Sequence, residues 1–207
     1  MIRIIGTIFF LAAIAASAQG EIRGEPVEYS AEGTTMKGSL AYDDGHPGKR
    51  PGILVVHEWW GHDEYARRRA RFTDPKRIGA IGYCFGGSVV LQMARDGMDL
   101  GGVASFHGGL TTTSPAKPGA IKARVLVRTG ADDKFVTPGQ VEDFQKERKA
   151  ARADYRVVSY PRVLHSFTNP AADDYAKKFN LPLGYNADAD AKSWAEMQKF
   201  FKEGFGK

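Results

Sequence analysis

Short hydrophobic runs recur along the chain, and stretches with helical spacing separate most of them. Ile22 to Tyr29 and Met36 to Tyr42 are strand-like and joined through Ala31-Glu32-Gly33-Thr34, which predicts an N-terminal antiparallel hairpin. Beyond the turn-rich Asp43-Asp44-Gly45-His46-Pro47-Gly48 comes Gly52-Ile53-Leu54-Val55-Val56-His57, apolar on both faces as parallel strands are. Ile78 to Ile81, Val103 to Phe106, Val125 to Val127 and Tyr155 to Ser159 are further buried-strand candidates. Helical stretches run from Asp63 to Phe72, from Ser88 to Ala94, from about Pro138 to Arg152, and from Asp188 to Phe205. In the last of these, Trp194, Met197, Phe200 and Phe201 form one stripe, which reads as core packing rather than a cofactor site. Strands alternating with helices predict an α/β fold, a mainly parallel sheet covered on both faces. No repeat, low-complexity tract or linker divides it.

The first residues carry a different pattern. Arg3 precedes an apolar stretch from Ile4 to Ala16, and Ala16-Ser17-Ala18 offers a cleavage site, so residues 1–18 are expected to be a signal peptide. The stretch is too short for a comfortable membrane span, and no cysteine follows it to carry a lipid anchor. Residues 19–207 then form a single domain with a sizeable core, expected to be monomeric and periplasmic or secreted, without stable membrane association. One cysteine cannot make an internal disulfide. The formal net charge of +5 becomes +4 without Arg3. Its only cluster, Arg67-Arg68-Arg69 with Arg71, lies in a predicted helix without interleaved aromatics, so it reads as a solvated face and not a nucleic-acid surface.

That single cysteine is Cys84, within Gly82-Tyr83-Cys84-Phe85-Gly86-Gly87, between a strand pattern and a helix pattern. The arrangement is that of a Gly-x-Ser-x-Gly nucleophile elbow with sulfur in place of the hydroxyl. A sharp strand-to-helix turn brings backbones too close for a Cβ at the flanking positions, which explains the glycines. The helix N-terminus behind the sulfur favours thiolate. The plainer reading is a buried structural cysteine, which the flanking glycines and element patterns argue against. A thiol redox role lacks a resolving cysteine.

Two later loops complete a constellation. Gly130-Ala131-Asp132-Asp133 follows the strand candidate Val125 to Val127, and His165 follows the strand ending near Tyr160. Each could be an ordinary loop feature alone, yet nucleophile, acid and histidine in this order is the order of α/β-hydrolases. His165 would support thiolate character at Cys84 and later protonate the leaving oxygen, while a carboxylate holds the imidazole in the useful tautomer. Backbone N–H groups of Trp59 and Phe85 could hold an oxyanion, and Glu58 could act as a base beside the thiol. His57, His62 and His107 lack the spacing of a zinc motif, so neither a metal nor a cofactor is expected.

Taken together, Val56-His57-Glu58-Trp59-Trp60-Gly61, Gly82 to Gly87, Ser105-Phe106-His107-Gly108, Gly130 to Asp133 and His165-Ser166-Phe167-Thr168-Asn169-Pro170 resemble the dienelactone hydrolase family of α/β-hydrolases. The resemblance implies a three-layer sandwich and a triad of Cys84, His165 and Asp133. Asp133 is preferred to Asp132 because the family aspartate is the fourth position of Gly-x-x-Asp-x-x-Val, here Gly130 to Val136. It also implies that Glu58 helps to activate the thiol, and that the substrate is a lactone or small ester cleaved through an acyl-enzyme.

Two departures from the family pattern carry consequences. Phe72 runs through Thr73-Asp74-Pro75-Lys76 into the elbow strand, where family members carry another strand and a long helix. Loss of that unit should leave the triad together and either expose a sheet edge or draw the hairpin inward to pair with Ile53 to His57. The surviving short helix should cross to the face the lost helix left. The family's carboxylate-bearing lactone is held by two arginines; one belongs to the absent unit, and Asn169 stands where the other would fall. A neutral lactone or activated ester is therefore expected. The opposing reading is a non-catalytic remnant that at most binds a small molecule.

Overall fold

The computed structural model describes residues 21–31, 34–45, 52–59 and 78–206. The expected signal peptide, the Asp63 to Phe72 helix and its arginines lie outside these residues. Among the described residues there are seven strands: β1 (Ile22–Ala31), β2 (Thr34–Asp43), β3 (Gly52–Val56), β4 (Ile78–Tyr83), β5 (Gly102–Phe106), β6 (Arg124–Gly130) and β7 (Tyr155–Tyr160). The helices described are α1 (Phe85–Arg95), α2 (Pro138–Ala150), α3 (Ala172–Phe179) and α4 (Ala187–Phe205).

β3 to β7 form one parallel sheet in chain order. Alternate residues of its strands feed two cores. Val103, Val125 and Val127 pack with Val90, Leu91 and Phe144 of α1 and α2, while Ile81, Ala104 and Leu126 pack with Met197, Phe200 and Phe201 of α4. The aromatic stripe of the last helix is therefore core, as its spacing indicates. Arg95 adds a buried polar tie between α1 and α2, donating to both carboxylate oxygens of Glu147 at 3.0 Å.

Helix ends follow local chemistry. α2 begins with a capping box in which Thr137 accepts from Gln140 N and the Gln140 side chain accepts from Thr137 N. α3 is absent from the sequence expectations, because its eight residues are shorter than the stretch over which helical spacing stands out. Its signals are at its ends: Asp173 and Asp174 in the first turn, Lys177 and Lys178 in the last, and left-handed Asn180 as the cap.

The shortened chain shows at the sheet margin. Among the described residues β3 is the terminal strand of the five, and β1 and β2 pair only with each other in a separate two-stranded ribbon. Of the two outcomes expected from a lost strand-helix unit, the inward pairing is not the one observed: the hairpin does not pair with β3, and no described strand covers that edge. Leu54 on β3 stays 47% exposed. Among the described residues the parallel sheet has five strands, and those five carry the candidate site.

Candidate active site

Every residue of the constellation lies just past the carboxyl end of a parallel strand, where such sheets gather functional groups. Glu58 and Trp59 follow β3, Cys84 follows β4, His107 follows β5, Asp133 follows β6 and His165 follows β7. Parallel register, pairing Val56 with Gly82 and Tyr83 with Phe106, sets these loops side by side.

Cys84 caps α1 with φ 51° and ψ −118°, a conformation that a non-glycine residue adopts only under tight constraint. The constraint is steric. A Cβ on Gly82 would stand 2.0 Å from Gly86 O, and one on Gly86 would stand 2.2 Å from Val56 O. Both flanking glycines thus let backbone meet backbone. Gly86→Ala should lose roughly 3 kcal/mol of stability or fail to accumulate, because the opposing atom is a carbonyl that cannot rotate away. Gly139→Ala, with nothing within 4 Å of the added methyl, should instead gain about 0.5 kcal/mol. Urea denaturation midpoints of the two variants check the contrast.

The three triad candidates come together. His165 Nε2 lies 3.2 Å from Cys84 Sγ, and its Nδ1 lies 2.7 Å from Asp133 Oδ2. Asp133 is buried, and its other oxygen accepts from Phe135 N at 2.8 Å and Val136 N at 3.1 Å, which locks the carboxylate. Asp132 is exposed, so the turn itself decides between the two aspartates. Burial pushes the His165 imidazolium toward deprotonation, but hydrogen bonds to Asp133 and Cys84, with their attraction, outweigh it and raise its pKa to about 9.

Glu58 is buried, with Oε2 accepting from Asn169 Nδ2 at 3.1 Å and Oε1 3.7 Å from His107 Nε2. Asn169 therefore meets the Glu58 carboxylate, at the position the resemblance assigns to a substrate-binding arginine. His107, weighed from sequence as a metal ligand and present in a family motif without a role, is fully buried among these groups, with Nδ1 3.2 Å from Cys84 N and Nε2 3.0 Å from Thr168 Oγ1. The signal that could have found it is its place directly after a buried strand, the same rule that located the other loops.

A cavity of about 620 Å³ opens above the sulfur. Cys84 and His165 lie within it, Trp59 and Phe85 flank them edge to face at 6.3 Å, and Phe135, Phe179, Leu181 and Leu183 extend the apolar wall. Among the described residues no lysine or arginine lines it. Both proposed oxyanion residues, Trp59 and Phe85, thus border the space a substrate would enter.

A parallel sheet bearing a strained cysteine elbow, with a histidine hydrogen-bonded to the cysteine and an acid hydrogen-bonded to that histidine, has the arrangement of an α/β-hydrolase. The family model for the dienelactone hydrolase family matches residues 64–205, and the chain belongs to that family. It is 34% identical over 135 residues to an uncharacterised protein of Caenorhabditis elegans, covering 64% of this chain and 84% of that one. It is 24% identical over 238 residues to an Aquifex aeolicus protein provisionally named a carboxymethylenebutenolidase, covering 86% of this chain and 98% of the relative. That aligned length exceeds the part of this chain it uses by about 60 positions, room for the absent strand-helix unit. Among solved structures, the dienelactone hydrolase-like promiscuous phosphotriesterase P91 from metagenomic libraries superposes with a TM-score of 0.82 at 27% identity, over 89% of this chain and 99% of that one.

Proposed function

We propose that this member of the dienelactone hydrolase family cleaves neutral lactones or small carboxylic esters through a thioester on Cys84. The observation that carries the reading is the hydrogen-bonded chain Asp133–His165–Cys84 at the floor of an apolar cavity. With a proton already on His165 Nε2, the Cys84 thiolate attacks the carbonyl carbon, whose oxygen becomes an oxyanion held by the N–H groups of Trp59 and Phe85. Collapse expels the alkoxide, which takes the proton from His165 Nε2 and leaves an acyl thioester. Water then attacks while His165 removes its proton, and the second collapse releases the acid and restores the thiolate. Asp133 keeps the Nδ1 proton of His165 on its own side throughout. Glu58 serves as an accessory base for the thiol.

The provisional carboxymethylenebutenolidase name of the Aquifex aeolicus relative supports ester or lactone chemistry, and the apolar wall with Glu58 nearby favours uncharged substrates. The Ala16-Ser17-Ala18 pattern supports an exported enzyme. The arrangement of the triad candidates favours an enzyme over a non-catalytic remnant.

Rapid mixing with p-nitrophenyl acetate should give a burst of p-nitrophenolate and a transient acetyl adduct that peptide mass spectrometry maps to Cys84. The succinate monoester, which carries a carboxylate, should show kcat/KM lower by roughly tenfold or more. An adduct on another residue would contradict the nucleophile, and an equal rate for the charged ester would contradict the substrate class.

A further inference from the structure

We propose that His107 is a positioning residue, present as the Nε2–H tautomer, that links the Cys84 elbow to the Glu58 carboxylate. The proposal rests on the Cys84 hydrolase reading above and assigns a part of that site which the triad leaves unused.

The hydrogen bonds define the tautomer. Cys84 N–H donates to His107 Nδ1 at 3.2 Å, so Nδ1 must present a lone pair. The proton is then on Nε2, which faces two oxygens: Thr168 Oγ1 at 3.0 Å and Glu58 Oε1 at 3.7 Å. A proton on Nδ1 would set two N–H groups against each other beneath the nucleophile. One ring therefore touches three loops: the elbow after β4, the Glu58 loop after β3, and the loop that carries His165.

The ring is held for this task. It has no solvent exposure, and its own backbone sits at φ 40° with its N–H donating to Arg128 O at 2.7 Å. Its plane stands edge to face with His165 at 5.0 Å and with Phe167 at 5.3 Å. Histidine is among the few non-glycine residues that tolerate such a φ. The peptide N–H it fixes also bonds Phe106 O at 3.0 Å, so the strained Cys84 backbone is anchored twice. Rotation of that peptide would swing the sulfur away from His165 Nε2, at 3.2 Å now. A misplacement of about 1 Å at a reacting atom can cost roughly 10²-fold in rate.

The test separates the acceptor from the backbone and from packing. In His107→Asn the Oδ1 atom takes the place of Nδ1, and asparagine tolerates a positive φ. In His107→Gly the φ is relaxed further but no acceptor remains. With p-nitrophenyl acetate, His107→Gly should lose roughly 10²-fold in kcat with KM little changed, whereas His107→Asn should stay within about tenfold of the parent. The pH profile of Cys84 alkylation by iodoacetamide should shift in the glycine variant and return toward the parent in the asparagine variant. Thermal midpoints are recorded for both. Full activity in His107→Gly would overturn the assignment. So would equal losses in the two variants at equal thermal midpoints, which would make the ring mere packing. Failure of the underlying reading looks different: Cys84→Ala would hydrolyse the ester as fast as the parent.

Discussion

Cys84→Ala should lower kcat/KM for p-nitrophenyl acetate by roughly 10⁴-fold or more while leaving the fold intact. The size follows from what the sulfur does. Without it no acyl-enzyme forms, and His165 retains only Asp133 as a hydrogen-bond partner from the triad set. The cavity and the proposed oxyanion donors survive, so a small residual rate over buffer is expected. Stability should change little, because Cys84 is only partly buried and alanine leaves no deep void. The strained φ of 51° is as awkward for alanine as for cysteine, so the substitution neither relieves nor adds backbone strain. Steady-state kinetics beside a thermal melt is sufficient. Loss of rate with an unchanged melt identifies a nucleophile, and an unchanged rate refutes one.

Asp133→Asn should be nearly as damaging, by a different route and with a second signature in stability. Its amide can still accept from Phe135 N and Val136 N, so the turn should hold. Its NH₂ would then face His165 Nδ1 as a donor, forcing the ring proton onto Nε2, where it can no longer accept from the thiol. A wrong tautomer of this kind costs about 10⁴-fold in kcat in comparable triads. The stability signature follows from linkage. His165 has a pKa of about 9 in the folded chain against an ordinary value of 6.5, so its contribution is fully present below pH 6.5 and is lost as pH rises through 9. The parent should therefore lose on the order of 3 kcal/mol at most between pH 6.5 and 9. Asp133→Asn, which removes the hydrogen bond and attraction holding the pKa up, should show a flatter profile over that window. Urea denaturation at several pH values tests this, and a parent profile that rises with pH would contradict the ion-pair reading of His165.

The sequence was most informative where the physics is local. Gly82 is legible as an elbow glycine because the clash it relieves, with Gly86 O, belongs to one turn; the clash Gly86 relieves is with Val56 O of β3, so its steric reason appears only in the fold. The choice of Asp133 over Asp132 came from the resemblance to the family's Gly-x-x-Asp-x-x-Val pattern, and the turn buries the one and exposes the other. Helix α3 was not legible, since its eight residues are shorter than the stretch over which helical spacing stands out. His107 was visible only as a histidine after a strand; its partners Glu58, Cys84 and Thr168 come from loops far along the chain.

By itself the chain's pattern of strands, glycines and polar loop residues pointed to a parallel α/β sheet, a cysteine elbow and His165 as a candidate partner, with Asp133 singled out by the family pattern. The resemblance to the family pattern added the expectation that a strand-helix unit is absent between Phe72 and the elbow strand. Only the tertiary structure decided that the hairpin pairs with itself and not with β3, and that Asn169 and His107 both face Glu58. The reason is the range of the forces. Steric rules at a turn are written in adjacent residues, whereas contacts between loops depend on strand order and register, which the whole sheet sets at once.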